Sequence, residues 1–262
     1  MKILIGDIGN TLTKICLVNE RSIIINEYNI ETTKIIKEKN LIKFFKFIFK
    51  KNIRKKVLFS SVVPKAYQKI NKFLKIKKYQ VYEIKKLPLK NIIKIKIDSY
   101  NQLGSDRIAN AIGAYSLYKK NCLIIDFGTA TTFDIVRNPG IYEGGVIAPG
   151  VKLSIINLNQ FTAALPIFDL KVNSKAYGKN TKDALNAGFL WGYQGLILNI
   201  IKKIKTSFNC SFKIILTGGY SKTFSKFINN NPTIEPNITI KGIMHIYKKL
   251  IKWAKKNFYF AH

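Results

Sequence analysis

Apolar residues enter this chain in short blocks cut by turn formers, the pattern of strands. Residues 2–8, 12–18 and 22–28 are predicted as three successive strands. The period then changes: Leu41, Phe44, Phe45, Ile48 and Phe49 share one helical face within 41–49. Lysines fill the opposite face, so a core-facing helix with a solvated side is expected rather than a membrane-surface helix. Residues 57–63 and 79–84 return to strand, the former stopped by Pro64. Residues 105–119 suit a helix with Ile108, Ala111, Ile112 and Tyr115 on one side. After that the cycle restarts. Strands are predicted at 122–127, 131–136 and 142–147, then helices at 151–161 and 181–205. A strand at 212–216 runs into Thr217-Gly218-Gly219, and a last helix covers about 243–256. The expectation is an α/β chain of two similar lobes, 1–119 and 120–262. No Pro-, Gly- or Ser-rich linker separates them, so close packing is expected.

Composition narrows the class. With 262 residues and 47% hydrophobic content the chain can build a sizeable core, which excludes a disordered protein. No apolar run reaches the roughly 18 residues of a membrane span. The nearest, 189–201, is interrupted by Tyr193, Gln194 and Asn199. Asp7, Asn10 and Lys14 break the apolar start, so no signal peptide is expected. Cys16, Cys122 and Cys210 lie far apart without metal spacing, which suits reduced thiols in a cytoplasmic protein. The net charge of +31 would attract polyanions non-specifically. Only Arg21, Arg54, Arg107 and Arg137 are arginines, however, and arginine is what selected nucleic-acid contacts recruit. Lysine excess with abundant Ile and Asn fits drift towards A/T-rich codons. Nucleic-acid contact is therefore expected only as sequence-blind, salt-sensitive binding.

The halves also repeat a motif. Ile5-Gly6-Asp7-Ile8-Gly9-Asn10-Thr11 sits where the first strand turns into the second. Ile125-Asp126-Phe127-Gly128-Thr129-Ala130-Thr131-Thr132 takes the same place in the second half. Gly9 and Gly128 permit tight turns whose N–H groups can approach phosphate oxygens. Thr11, Thr129, Thr131 and Thr132 add hydroxyls. Asp7 and Asp126 would repel phosphate directly, so holding a cation or its waters is their sensible task. One Asp-x-Gly-Thr is weak evidence, but two in equivalent places are not. Thr217-Gly218-Gly219 adds a glycine pair past which an adenosine can run close to the backbone.

This layout resembles the actin, sugar kinase and Hsp70 superfamily, whose duplicated ribonuclease-H-like lobes hold ATP in a cleft between them. More specifically it resembles type III pantothenate kinases. Asp7-Ile8-Gly9-Asn10-Thr11 with Lys14 looks like their first phosphate motif, and Asp126 to Thr132 like their second. Gly104-Ser105-Asp106-Arg107 is similar to their Gly-x-Asp-Arg substrate motif. Gly144-Gly145-Val146-Ile147-Ala148-Pro149-Gly150 and Gly178-Lys179-Asn180-Thr181 also match family segments. The resemblance implies ATP-dependent phosphorylation of pantothenate, the first step of coenzyme A synthesis. By that resemblance Asp7, Ile8, Gly9, Asn10, Thr11, Leu12, Thr13 and Lys14 line the ATP phosphates, and Thr129 also touches ATP. Asp106 is the general base, framed by Gly104, Ser105 and Arg107, and Thr181 touches pantothenate. Asp126 holds a monovalent cation, K+ or NH4+, while Mg2+ arrives with ATP. A homodimer is implied too. The family's substrate-contacting Tyr, seven positions before the motif's Gly, falls on Ile97; Tyr100, four positions before Gly104, is the candidate replacement in a shortened loop. The proline often found there is missing.

Chemistry supports part of this independently. An Asp can accept a hydroxyl proton in phosphoryl transfer, and Arg107 suits a carboxylate or phosphate partner. Asp106 also stands where a helix N-cap is expected, a purely structural alternative. Two other functions stay open on the residues alone: a different small-molecule kinase of the superfamily, and a non-enzymatic nucleic-acid-binding regulator. No helix-turn-helix or aromatic RNA-binding motif stands out.

Overall fold

In the computed structural model, which describes residues 1–49, 51–172, 175–229 and 231–252, one strand plan is laid down twice along the chain. The first unit comprises Met1–Lys119, Asn138–Tyr142 and the chain from Asn237 on; the second comprises Lys120–Arg137 and Glu143–Pro236. A single cut at 119/120 leaves out these two returns of the chain to the first unit.

In the first unit β1 (Ile3–Ile8), β2 (Leu12–Val18) and β3 (Ile24–Glu31) form an antiparallel meander. β4 (Lys56–Ser61) and β5 (Gln80–Glu83) extend it in parallel, giving the order β3-β2-β1-β4-β5. β1 is buried on both faces, whereas edge strand β3 alternates half-buried and exposed residues. Leu4, Ile15, Leu17 and Phe59 meet Phe45 of α2 (Glu38–Ile48) and Ile70 of α3 (Pro64–Ile76) in one core cluster. A four-residue helix, α1 (Thr32–Ile35), precedes α2. β6 (Lys94–Ile95) pairs with Ile141–Tyr142.

α3 is an element the sequence reading passed over. The strand expected to run to residue 63 ends at Ser61, and Pro64 instead opens this helix at a position where its missing N–H costs nothing. α4 (Ser105–Tyr118) packs against α8 (Ile238–Ile246), which begins five residues before the expected 243 and continues as a π turn over Tyr247–Ile251. A Cβ on Gly113 would stand 3.1 Å from the Gly242 nitrogen, and one on Gly242 would run into the Ala109 carbonyl. Both glycines are thus what lets these helices touch backbone to backbone. Positions 253–256 of the expected last helix lie outside the described residues.

The second unit repeats the plan. β7 (Cys122–Phe127), β8 (Ala130–Arg137) and β9 (Ile141–Pro149) precede α5 (Val151–Gln160) and the 28-residue α6 (Thr181–Phe208). β10 (Lys213–Gly218), α7 (Ser221–Phe224) and β11 (Thr233–Ile234) follow. The order β9-β8-β7-β10-β11 reproduces β3-β2-β1-β4-β5 strand for strand. Antiparallel β7–β8 and parallel β7–β10 and β10–β11 pairings match their counterparts. Leu123, Ile125, Phe133, Leu190, Ile197, Leu216 and Phe224 belong to its core. The expected α/β class with two ribonuclease-H-like halves is what the chain adopts. Among the described residues no helix is long and apolar enough to cross a membrane.

Candidate functional site

The first unit places its candidate residues at the carboxyl ends of β1 and β4. In the hairpin after β1, Gly9 N–H donates to Leu12 O at 3.0 Å, closing a turn that leaves Asn10, Thr11 and Leu12 exposed. Asp7 lies opposite Lys14 and Ile8 opposite Thr13 in the antiparallel register. Lys14 Nζ is held by Glu27 Oε1 and by Asn237 Oδ1, each at 3.3 Å. Thr13 is fully buried, with its hydroxyl 3.0 Å from that of Thr32. Thr32 Oγ1 donates to Gly9 O at 2.7 Å, and Thr32 N–H to Thr11 O at 3.0 Å. Thr32 therefore fixes the turn from behind. Nothing near residue 32 in the sequence signals this, because the contact is made by strand register across the meander.

α4 begins beside this hairpin. Val62 N–H, just past β4, donates to Ile8 O at 3.0 Å, and Ser61 pairs with Ile8. Ser105 Oγ donates to Ser61 O at 2.6 Å and accepts from Ser61 N–H at 2.7 Å. Ser105 is fully buried, so its hydroxyl anchors α4 to β4 and does not face solvent. The N-cap of α4 is Gly104, and Asp106 sits inside the first turn. Asp106 is therefore not the N-cap residue itself, although its carboxyl does serve the free N–H groups of the first turn. Arg107 N–H donates to Asp106 Oδ1 at 2.8 Å, and this carboxyl oxygen occupies the space a Gly104 side chain would need. Burial pushes the Asp106 carboxyl above the usual carboxylate range, with the Arg107 N–H and guanidinium pulling partly against it. Tyr100 is half-buried in the short turn before the motif, and burial raises its phenol.

The second unit builds the equivalent hairpin with different supports. Gly128 N–H donates to Ala130 O at 3.1 Å, and Thr129 is exposed at the turn. Asp126 lies opposite Thr132, so a hydroxyl stands where the first hairpin has Lys14. The Asp126 Oδ1 comes within 3.7 Å of where a Gly128 Cβ would be, which places the carboxylate over the turn. Thr131 occupies the register position of Thr13; its buried Oγ1 has no hydrogen-bond partner among the described residues. The chain entering the next helix carries Gly150 here instead of a threonine like Thr32. A Cβ on Gly150 would lie 2.6 Å from the Thr129 carbonyl carbon and closer still to its oxygen. Gly218, at φ +83°, presses on the same hairpin, its Cβ position 2.5 Å from Phe127 O.

Gly178-Lys179-Asn180-Thr181 forms the start of α6. Asn180 Oδ1 accepts from Asp183 N–H at 2.9 Å as the N-cap, and Gly178 packs on Ala184. Thr181 itself is exposed and lines an apolar cavity of about 590 Å³ with Pro149, Leu158, Leu165, Phe189 and Leu196. Among the described residues no three His, Cys, Asp or Glu side chains gather as a metal site.

The type III pantothenate kinase family model matches residues 3–203. A type III pantothenate kinase of Pelagibacter ubique (strain HTCC1062) is 48% identical over 245 residues, 92% of this chain and 97% of that one. Another, of Sulfurihydrogenibium sp. (strain YO3AOP1), is 35% identical over 94% of this chain and 99% of its own. In fold alone, a putative 2-dehydro-3-deoxygalactonokinase of Sinorhizobium meliloti superposes at TM-score 0.61 with 10% identity, covering 99% of this chain and all of that one. At the identity and coverage of these two relatives, the chain belongs to the type III pantothenate kinase family.

Proposed function

We propose that this protein transfers the γ-phosphoryl group of ATP to the primary hydroxyl of pantothenate, with Asp106 as general base. The observation that carries the assignment of roles is Asp106: a half-buried carboxylate whose desolvation raises its pKa, held at the start of α4 beside the phosphate hairpin. A carboxylate disfavoured by burial is a better proton acceptor than a solvated one, and positioning does much of the remaining work in phosphoryl transfer. Gly104 and Arg107 frame the acceptor, Ser105 contributes by holding the helix start, and Tyr100 and Thr181 contact pantothenate. Asp7 to Lys14 take the ATP phosphates, with Thr129 as a further contact.

Register separates the two hairpin aspartates. Lys14 across from Asp7 supplies positive charge for phosphate, whereas across from Asp126 stands Thr132, whose hydroxyl can serve as an oxygen ligand beside the carboxylate. That donor set fits a monovalent cation, K+ or NH4+, which would supply positive charge near phosphate when bound. Mg2+ comes with ATP. The reading includes a homodimer: Gly188 and Gly192 have nothing within 4 Å of their Cβ positions and line the apolar cavity on α6, a face a second copy can cover. A cytoplasmic location goes with an ATP-dependent enzyme whose three cysteines are all free.

With ATP, Mg2+, K+ and pantothenate, the purified protein is expected to form 4′-phosphopantothenate and to leave common sugars almost untouched. Vigorous sugar phosphorylation with inert pantothenate would move the assignment to another kinase of the superfamily. Asp126→Asn is expected to raise the KM for ATP and flatten the response to added potassium, because it removes the cation's charged ligand. Titration of ATP at several potassium concentrations reads both, and an unchanged potassium response rules Asp126 out as the ligand.

A further inference from the structure

α2 and α3 lie on the same face of the first sheet, where Leu41, Phe45 and Ile48 of one and Ala66, Ile70 and Leu74 of the other enter a single core cluster. Phe73 packs on Phe45 and Phe49 with ring centroids 5.5 and 5.9 Å apart, so the two helices stand side by side. Their outward stripes are basic. Lys39, Lys43 and Lys46 follow an i, i+4, i+7 spacing on α2, as do Lys65, Lys69 and Lys72 on α3, and all six are exposed. Among the described residues none of the six forms an ion pair. The acids that flank the two helices in sequence, Glu31 and Glu83, are held by Lys34 and Lys86. Ile76, 68% exposed, continues the α3 stripe one turn further, and Ile42, 49% exposed, borders the α2 stripe. Residues 37–78 are under a sixth of the chain, yet they carry 15 of its 45 basic residues and, in Glu38, one of its 14 acidic ones. Drift in codon usage explains the choice of lysine over arginine; it gives no reason for acids to be missing from one face.

We propose that this two-helix face docks the protein on an anionic lipid surface, with the lysines over the headgroups and Ile42 and Ile76 pressed into the interface. Two features favour lipid over nucleic acid. Exposed aliphatic side chains among lysines gain from an apolar boundary, and a phosphate backbone offers them none. The stripes also lack arginine, whose fork suits phosphates and base edges, whereas attraction to a charged leaflet needs only point charges. Both helices keep their apolar sides in the core, so docking is peripheral and leaves the fold as it is. The inference stands apart from the kinase reading, because none of these side chains has a part in phosphoryl transfer.

Co-sedimentation with vesicles tests the proposal. At about 0.15 M salt the protein is expected to bind phosphatidylcholine vesicles containing about one-third phosphatidylglycerol and to leave pure phosphatidylcholine vesicles alone. The triple variant Lys46→Gln, Lys69→Gln, Lys72→Gln is expected to bind about a hundredfold more weakly, about fivefold for each lysine. Ile76→Ser is expected to lose about tenfold, the share of the inserted side chain. Removing the same charge from exposed positions of the second unit, with Lys202→Gln, Lys203→Gln and Lys226→Gln, is expected to cost no more than about threefold. Parental melting temperatures and parental turnover without vesicles check that all three variants are folded. Equal losses from the two triple variants would mean that net charge alone drives binding, and would overturn the proposal. So would a failure to bind the anionic vesicles, equal binding to neutral ones, or full binding by Ile76→Ser. Preference for duplex DNA, when it competes with the anionic vesicles at that salt, would give the face to nucleic acid instead.

Discussion

Asp106→Asn is expected to cut turnover by roughly a hundredfold or more while the protein stays folded and keeps its affinity for ATP. The amide preserves shape, and Asn is accepted in a first helical turn, but it cannot take the hydroxyl proton. The second half of the expectation follows from burial. Because the folded-state pKa of Asp106 is raised, its contribution to stability is fully present below the unfolded pKa and is lost as pH rises through the folded one. At neutral pH the ionised carboxylate is therefore a liability, and Asp106→Asn should unfold at the same temperature as the parent or a higher one. In the parent enzyme, kcat/KM should fall on the acid side through a pKa above the ordinary carboxylate value, since protonation removes the base. Turnover by the variant within a few-fold of the parent would dismiss Asp106 as the base. A marked drop in Tm would show instead that its role is structural.

Much of this site was legible because its chemistry lies in contiguous motifs. Two Asp-x-Gly turns at strand ends, a Gly-x-Asp-Arg segment and a glycine pair can each be read without knowing what packs on them. What escaped was whatever depends on register. Thr32 lies 23 residues from Gly9, and only the three-stranded meander brings its hydroxyl behind the turn. Ser105 reads as part of a substrate motif, yet its hydroxyl is consumed by Ser61 of β4. The difference between Asp7 and Asp126 is invisible in their near-identical motifs and appears only when Lys14 and Thr132 are seen across the ladder. The start of α8 was missed for a related reason: Ile238, Ile240 and Ile243 resemble a strand by composition, and α4 makes them a helix by packing.

Gly150→Ala is the substitution expected to do most damage for the fewest atoms. Residue 150 caps α5 with φ −78°, so an alanine is conformationally acceptable there and the objection is purely one of space. Its Cβ would fall inside contact distance of the Thr129 carbonyl and 2.7 Å from Gly128 O, backbone atoms that cannot rotate away. Either α5 retreats or the 128–129 turn is displaced. Overpacking of this kind costs about 1–3 kcal/mol. A turn shifted by an ångström is expected to cost about a hundredfold in kcat/KM for ATP, because misplacement that small already forfeits alignment. Gly195→Ala supplies the contrast. It sits within α6 with nothing within 4 Å of its Cβ position, and alanine in a helix interior is favoured by about 0.5–1 kcal/mol. Thermal melts and ATP titrations of both variants decide the matter. Gly195→Ala should melt no lower than the parent and retain its kinetics, whereas Gly150→Ala should melt lower and lose ATP efficiency. Parental kinetics in Gly150→Ala would mean that the second hairpin does not need its turn held against α5, and the role given to Thr129 would fall with it.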